Sequence, residues 1–140
     1  MDERARPATK PALLVSVLAF DFGTQRVGVA TGSTLLGLGQ GLRTVSAQGE
    51  ARFAAITALI KEWQPAALVV GIPFHPDGAA HDNTRRALRF ARQLQGRHGL
   101  PVHQVDERYT TTEALSQGAR DADAASAVLI LEQFFREQPK

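Results

Sequence analysis

Acidic side chains lie at the ends of two apolar segments of the sequence. Asp21 follows the run SVLAF, and Asp106 with Glu107 follows the alternating run PVHQV. A carboxylate at the rim of a buried strand needs a partner or a metal ion, because an isolated buried charge is costly. Asp123 is a third candidate, since it falls in the first turn of a predicted final helix.

Three carboxylates that converge repel one another unless they are protonated or bridged by a hard cation. Mg²⁺ or Mn²⁺ is the natural occupant, and two such ions about 3.5–4 Å apart can promote water attack on a phosphodiester. Two choices stay open. Asp106 and Glu107 alternate across a strand, so only one of them faces the site. The third acid of the site is either Asp123 or Asp121. For Asp123, a role as the N-cap of the helix explains the aspartate without a metal.

The elements that must position these acids follow from the hydrophobic pattern. Strands are predicted at 16–21, 26–31, 42–46, 67–72 and 101–107. Helices are predicted at 51–63, from Asp82 or Asn83 to Arg97, at 110–116, and from Asp121 or Asp123 to Phe135. The early hairpin is antiparallel and the later strand-helix-strand units are parallel, so a mixed α/β sheet results. The carboxyl ends of its parallel strands meet at one edge, where ligands bind.

Length and composition restrict the classes of protein. The 140 residues predict one domain at 13–137 after a flexible tail at 1–12. The absence of cysteine excludes a disulfide scaffold, a thiolate metal site and a thiol nucleophile. No apolar run approaches the roughly 20 residues needed to cross a bilayer, so no membrane partner is expected. The charged N-terminus lacks a secretory apolar region, which predicts a cytoplasmic protein.

The net charge of +2 conceals an uneven distribution of charge. No acidic residue occurs from Asn83 to Val105, and this stretch contains a predicted helix. At helical spacing its arginines Arg85, Arg89 and Arg92 share a solvated face. Backbone phosphates of a nucleic acid would neutralise this face, and binding would weaken as salt increases. A solvated face with intramolecular partners explains the same pattern equally well.

Four segments, taken in order, resemble the motifs of the YqgF/RuvX family of Holliday junction resolvases and pre-16S rRNA processing nucleases. The segments of this chain, each followed in parentheses by the family motif that it resembles, are 21–30 (D-x-G-x-K-R-I-G-V-A), 71–78 (G-x-P-x(4)-G), 106–114 (D-E-R-x-T-T-x-x-A) and 123–131 (D-x-x-A-A-x-x-I-L). Each motif alone is weak to moderate evidence. The four together, at compatible spacing over nearly the whole chain, are highly specific.

The resemblance implies an RNase H-like fold, with three antiparallel strands, two further parallel strands and helices on both faces of the sheet. It implies Asp21, Glu107 and Asp123 as catalytic, metal-binding acids that use Mg²⁺ or Mn²⁺, with Asp106 as an accessory. It also implies nucleic-acid contacts by Arg26, Arg108, Thr110 and Thr111. The expected substrate is a DNA junction or precursor rRNA, the ribosome is a further possible partner, and the protein is a monomer or a homodimer.

Two alternatives remain beside the nuclease. An actin-like nucleotide-binding domain has a similar Asp-x-Gly hairpin, but such ATPases close two lobes on ATP and this length supplies one. A catalytically weak RNA-binding or ribosome-assembly module is the other alternative. It is favoured by two departures from the family pattern: Gln25 replaces a lysine, and the segment between Glu107 and Asp123 is short.

Overall fold

The computed structural model describes residues 16–109 and 121–138. The strands are β1 (Ser16–Phe22), β2 (Val27–Ser33), β3 (Gly39–Val45), β4 (Ala67–Ile72) and β5 (Val102–Asp106), and the helices are α1 (Gly49–Trp63), α2 (Asp82–His98) and α3 (Ala122–Glu137). A single 3-10 turn (Glu107–Tyr109) follows β5. The predicted tail at 1–12 and the predicted helix at 110–116 lie outside the described residues.

The five strands form one mixed sheet in the order β3-β2-β1-β4-β5. The pairs β1–β2 and β2–β3 are antiparallel, and β4 is parallel to both β1 and β5. This confirms the predicted fold class. The crossover through α2 joins the parallel strands β4 and β5, as the alternating strand and helix pattern predicts.

Side chains of β1 alternate between two apolar layers, because successive residues of a strand point to opposite faces. Leu18 and Phe20 pack with α1 and α2 in one core. Val17 and Ala19 pack with α3 in the other. Both faces of the sheet are therefore covered by helices. The alternation also directs Asp21 to the α3 face.

Several helix and strand boundaries differ from the prediction, and two of these differences have a clear physical cause. The third strand begins at Gly39 rather than at 42, because pairing with β2 holds a glycine-rich segment whose own strand preference is low. The N-cap of α2 is His81, not Asp82 or Asn83, because its ring accepts a hydrogen bond from the Asn83 backbone and Thr84 completes a capping box. Within residues 16–109 and 121–138, no helix has the length and apolar character needed to cross a membrane.

Candidate active site

The carboxyl end of β1 places Asp21 beside Glu107, the first residue after β5. Asp21 pairs in register with Gly71 of β4, the strand between β1 and β5. A Cβ at Gly71 would lie 2.7 Å from Glu107 Oε1 and 2.4 Å from the Cδ1 atom of Ile130. Glycine therefore leaves the space in which Glu107 reaches across β4. The side chains of Asp21 and Glu107 share a hydrogen bond.

The two carboxyl groups cannot both be ionised at low cost. Burial, the hydrogen bond to Asp21 and the negative charge of Asp21 raise the pKa of Glu107 to about 8. Burial and the charge of Asp123 raise the pKa of Asp21, although hydrogen bonds from Glu107 and Ser126 oppose the increase. Without a cation, Glu107 therefore remains protonated at neutral pH, and its O–H group donates the hydrogen bond to the Asp21 carboxylate.

Asp123 approaches the pair from the first turn of α3. Its Oδ2 atom accepts a hydrogen bond from Arg26 Nε at 2.9 Å, and its charge acts on Asp21. Asp121 is the N-cap of α3, since it accepts hydrogen bonds from the Ala124 backbone at 3.0 Å and from the Thr44 hydroxyl. The structure thus separates the two aspartates, with Asp121 capping the helix and Asp123 facing the site.

Asp106 is bound by Arg108, although its charge still contributes to the raised pKa of Glu107. The Arg108 guanidinium donates to both carboxylate oxygens, at 2.7 Å for the closest contact, and the Arg108 backbone N–H donates at 2.9 Å. The hydrogen bond from the Arg108 side chain is the main cause that lowers the pKa of Asp106. Of the two acids at the end of β5, it is therefore Glu107 that contacts Asp21.

The residues predicted to bind nucleic acid lie in several places. Arg26 is at the site itself, and its side chain is 58% exposed. Three more arginines are exposed on α2, on the sheet face opposite α3: Arg85, Arg89 and Arg92. Arg85 lies 3.5 Å from Asp82, so this basic face has one weak internal partner. Thr110 and Thr111 lie outside the described residues.

The donor chemistry at this edge fits a hard divalent cation. Two half-buried carboxylates in contact remain ionised together only beside a positive charge, and oxygen ligands suit Mg²⁺ or Mn²⁺. Asp21 and Glu107 would hold the ion. Asp123 is held by Arg26, and the part of the chain that the structure describes contains no set of three or more acidic or histidine side chains spaced as metal ligands.

Two contributors to this edge were not singled out from the sequence. Ser126 hydrogen-bonds to Asp21 from α3. Its signal was its position three residues after Asp123, which places both side chains on one helix face. Arg52, on α1, is only 6% exposed and holds the turn that follows β1. Nothing in the sequence marks Arg52, because it resembles any arginine on a surface helix.

A mixed sheet in this strand order, with helices on both faces, is an RNase H-like fold. The fold is shared with RuvC of Thermus thermophilus, solved in complex with a Holliday junction substrate. That chain is 16% identical, the match covers 86% of this chain and 93% of RuvC, and the TM-score is 0.56. A second Thermus thermophilus RuvC structure, 14% identical, matches with the same TM-score over 86% of this chain and 94% of that one.

Residues 15–137 match the family described as RuvX, Holliday junction resolvase, and the chain belongs to this family. A protein of Albidiferax ferrireducens is 63% identical over 93% of this chain and 83% of its own length. A protein of Polaromonas sp. is 64% identical over 90% of this chain and 91% of its own length. Both relatives are named "Putative pre-16S rRNA nuclease". Since the family is one of nucleases, the protein is a hydrolase that acts on ester bonds.

Proposed function

We propose that this protein is a metal-dependent endonuclease that hydrolyses phosphodiester bonds in structured nucleic acid. The observation that carries the proposal is the contact between Asp21 and Glu107 at the carboxyl edge of the sheet. A pair of half-buried carboxyl groups that must share a proton is the kind of perturbed site that enzymes use for chemistry. The nuclease domain would span 13–137, and we place it in the cytoplasm, where its nucleic-acid substrates occur.

The roles of the side chains follow from their positions. Asp21 and Glu107, together with Asp123 once it is released from Arg26, would hold Mg²⁺ or Mn²⁺. The metal would supply an activated water and stabilise the leaving oxygen. Ser126 orients the Asp21 carboxylate. Arg26, freed from Asp123, would orient the phosphate that is cleaved, leaving a 3′-hydroxyl and a 5′-phosphate.

The substrate is proposed from the comparisons. The names of the relatives favour the 5′ end of precursor 16S rRNA, a step in ribosome biogenesis. The description of the family favours a four-way DNA junction. Paired cuts in a junction need two active sites and hence a homodimer, whereas a monomer suits trimming of an RNA end. The exposed arginines of α2 would contact the phosphate backbone in either case.

Cleavage of both substrates in parallel tests the proposal. The purified protein is incubated with Mg²⁺ or Mn²⁺ and with a labelled four-way junction or a labelled precursor 16S rRNA. We expect Asp21→Asn to reduce the rate at least about 100-fold, the scale for loss of one catalytic group. Asp106→Asn is the matched control, because this carboxylate ends β5 but is bound to Arg108. A fully active Asp21→Asn protein would contradict the proposal.

A second candidate is a nucleic-acid-binding module with little turnover. It is favoured by the ion pair that keeps Asp123 on Arg26, which leaves two carboxylates rather than three for a cation. This candidate predicts binding of both nucleic acids without cleavage dependent on Mn²⁺. The same parallel assay distinguishes the two, since only the nuclease yields cut products that disappear in Asp21→Asn.

A further inference from the structure

A buried arginine lies beneath the turn that joins β1 to β2. Arg52, on α1, is only 6% exposed. Its Nε donates to the carbonyl of Ala47 at 3.0 Å, and its two terminal nitrogens donate at 3.2 Å to the carbonyls of Gly23 and Thr24. A further bond of 3.2 Å joins it to the Gln48 side chain. These four hydrogen bonds all end on uncharged oxygens, so carbonyl dipoles surround the cation.

Gln48 extends this grip by one residue. Its Nε2 donates to the carbonyl of Gln25 at 2.7 Å. The carbonyls of three consecutive residues, 23 to 25, are therefore all bound by side chains at the start of α1. The Arg52 guanidinium also lies 5.8 Å from the ring centre of Phe22. The turn is thus fixed from the α1 face of the sheet.

The direction of these carbonyls fixes the direction of the amides that follow them. In a planar trans peptide the C=O and N–H groups point in opposite directions. The N–H groups of Thr24, Gln25 and Arg26 are consequently directed away from Arg52 and Gln48, and α1 packs on the sheet face opposite α3. Successive backbone N–H groups on one side of a turn suit an anion, such as a phosphate group.

We propose that Arg52 is a positioning residue that holds the turn at 23–26 so that its amides and the Arg26 side chain receive a substrate phosphate beside Asp21. The inference rests on the proposed function, because it supposes a nucleic-acid substrate at that edge. Arg52 remains charged although burial lowers its pKa from the ordinary value, since a guanidinium is not deprotonated in proteins. Its charge therefore also favours an anion on the opposite side of the turn.

Three variants separate positioning from simple structural support. Arg52→Met removes the charge and the hydrogen bonds, Arg52→Lys keeps the charge but not the planar fork, and Gln48→Leu removes the bond to Gln25. Arg97→Met is the matched control. Arg97 also packs against α1, at 3.9 Å from the ring centre of Phe53 and 2.7 Å from Glu50 Oε2, and both of these contacts are to α1 rather than to the turn.

The measurements use a labelled four-way DNA junction and a labelled precursor 16S rRNA fragment, bound in EDTA over a range of salt. For Arg52→Met we expect about tenfold weaker binding of both and a salt slope lower by about 1, the change expected for one lost phosphate contact. Bound probe should slow amide hydrogen exchange at residues 24–26 in the wild type and not in Arg52→Met. Mn²⁺ affinity should stay within about twofold, and Arg52→Lys should fall between wild type and Arg52→Met.

Each outcome decides the proposal. Arg52 does not position the turn for phosphate if folded Arg52→Met binds both probes as tightly as Arg97→Met does. The same conclusion follows if Arg52→Met loses as much affinity for Mn²⁺ as it loses for the nucleic acids. If Arg52→Met does not fold, Gln48→Leu replaces it and the same criteria apply. If wild-type protein cleaves neither substrate, the proposed function fails, but the binding and exchange measurements still decide the role of Arg52.

Discussion

The two faces of the sheet carry buried charge in opposite ways at the same edge. On the α3 face, Asp21 and Glu107 are two carboxyl groups that would repel each other if both were ionised, and they remain in contact by sharing one proton. On the α1 face, Arg52 is a lone cation whose hydrogen bonds end on carbonyl oxygens and a glutamine amide. The first arrangement has an electrostatic cost that a cation would remove. The second needs no ligand, because its bonds are made within the protein.

A ligand site differs from a structural site in how its charges are neutralised. A buried charge that is fully hydrogen-bonded fixes the backbone around it, and its removal leaves polar groups without partners. Removing one charge from a pair of like charges has the opposite effect on stability. In the absence of a ligand, neutralising one member relieves the repulsion between them. Substitutions on the two faces should therefore change stability and function in different proportions.

The largest expected effect tests how closely α3 must approach the carboxylates. A Cβ at Gly28 of β2 would lie 1.8 Å from the Asp123 carbonyl oxygen and 2.9 Å from the Ala124 nitrogen. Gly28→Ala should therefore displace the start of α3 and lower the free energy of unfolding by about 3 kcal/mol, measured by urea denaturation.

The control for this change is Gly96→Ala on α2, where an added Cβ meets no atom within 4 Å. Alanine is favoured over glycine within a helix, so Gly96→Ala should increase stability by up to about 1 kcal/mol. Equal effects of the two substitutions would show that the contact between β2 and α3 is not as close as described, and the geometry of Asp123 would need revision.

The next effect concerns the proton that Glu107 keeps. In metal-free protein its pKa is about 8, against an ordinary value of 4.5, so the folded state binds a proton that the unfolded chain releases. The stabilisation that this proton provides is complete below the ordinary pKa of 4.5, and it is lost as the pH rises through the pKa of about 8 that Glu107 has in the folded protein. We expect the free energy of unfolding in EDTA to fall by on the order of 2 kcal/mol between about pH 5 and pH 8.5.

Glu107→Gln should flatten this dependence, because the amide does not titrate. Mn²⁺ should act in the opposite direction on the wild type, since carboxylates bind a metal only after they lose their protons. Stabilisation by Mn²⁺ should therefore increase with pH and be small in Glu107→Gln. A wild-type curve in EDTA that is as flat as that of Glu107→Gln would mean that the pair does not share a proton.

A smaller effect is expected from the basic face of α2. The charge-removing triple variant carries Arg85→Gln, Arg89→Gln and Arg92→Gln. If these side chains contact backbone phosphates, the slope of log affinity against log salt should fall by about 2 to 3 in magnitude. Affinity at moderate salt should fall roughly tenfold or more, while Mn²⁺ binding and stability remain close to wild type.

The control for the basic face removes the same charge from other exposed positions, with Arg43→Gln, Lys61→Gln and Arg136→Gln. Filter-binding titrations with the junction and the precursor RNA compare the two triple variants. Equal salt slopes in both would indicate that only net charge matters. In that case the α2 arginines form a solvated face rather than a binding surface.

The sequence predicts the sheet better than it predicts the hydrogen-bond partners of the acids at its edge. Asp21 could be placed at a strand end because β1 is a continuous apolar run. The end of β5, where Glu107 follows, lies at the same edge because β1 and β5 are both parallel to β4, the strand between them. The choice of Glu107 over Asp106 depends on the 3-10 turn after β5 and on the bond from Arg108, which no periodicity encodes. The grip of Arg52 on the turn after β1 depends on packing between distant segments.

The smallest effect is expected from an exposed ion pair, which lies outside the charged groups at the sheet edge. Glu50 on α1 binds Arg97 of α2 through two hydrogen bonds, of 3.1 and 2.7 Å, and the hydrogen bond and charge of Arg97 lower the pKa of Glu50. Stabilisation from a lowered carboxyl pKa is present above the ordinary value of 4.5 and is lost as pH falls through the folded one. Glu50→Gln should therefore lower the melting temperature only at neutral pH, by about 2 °C or less, since water screens exposed pairs. A decrease in melting temperature at pH 7 well above about 2 °C would mean that this exposed pair contributes more than screening by water allows.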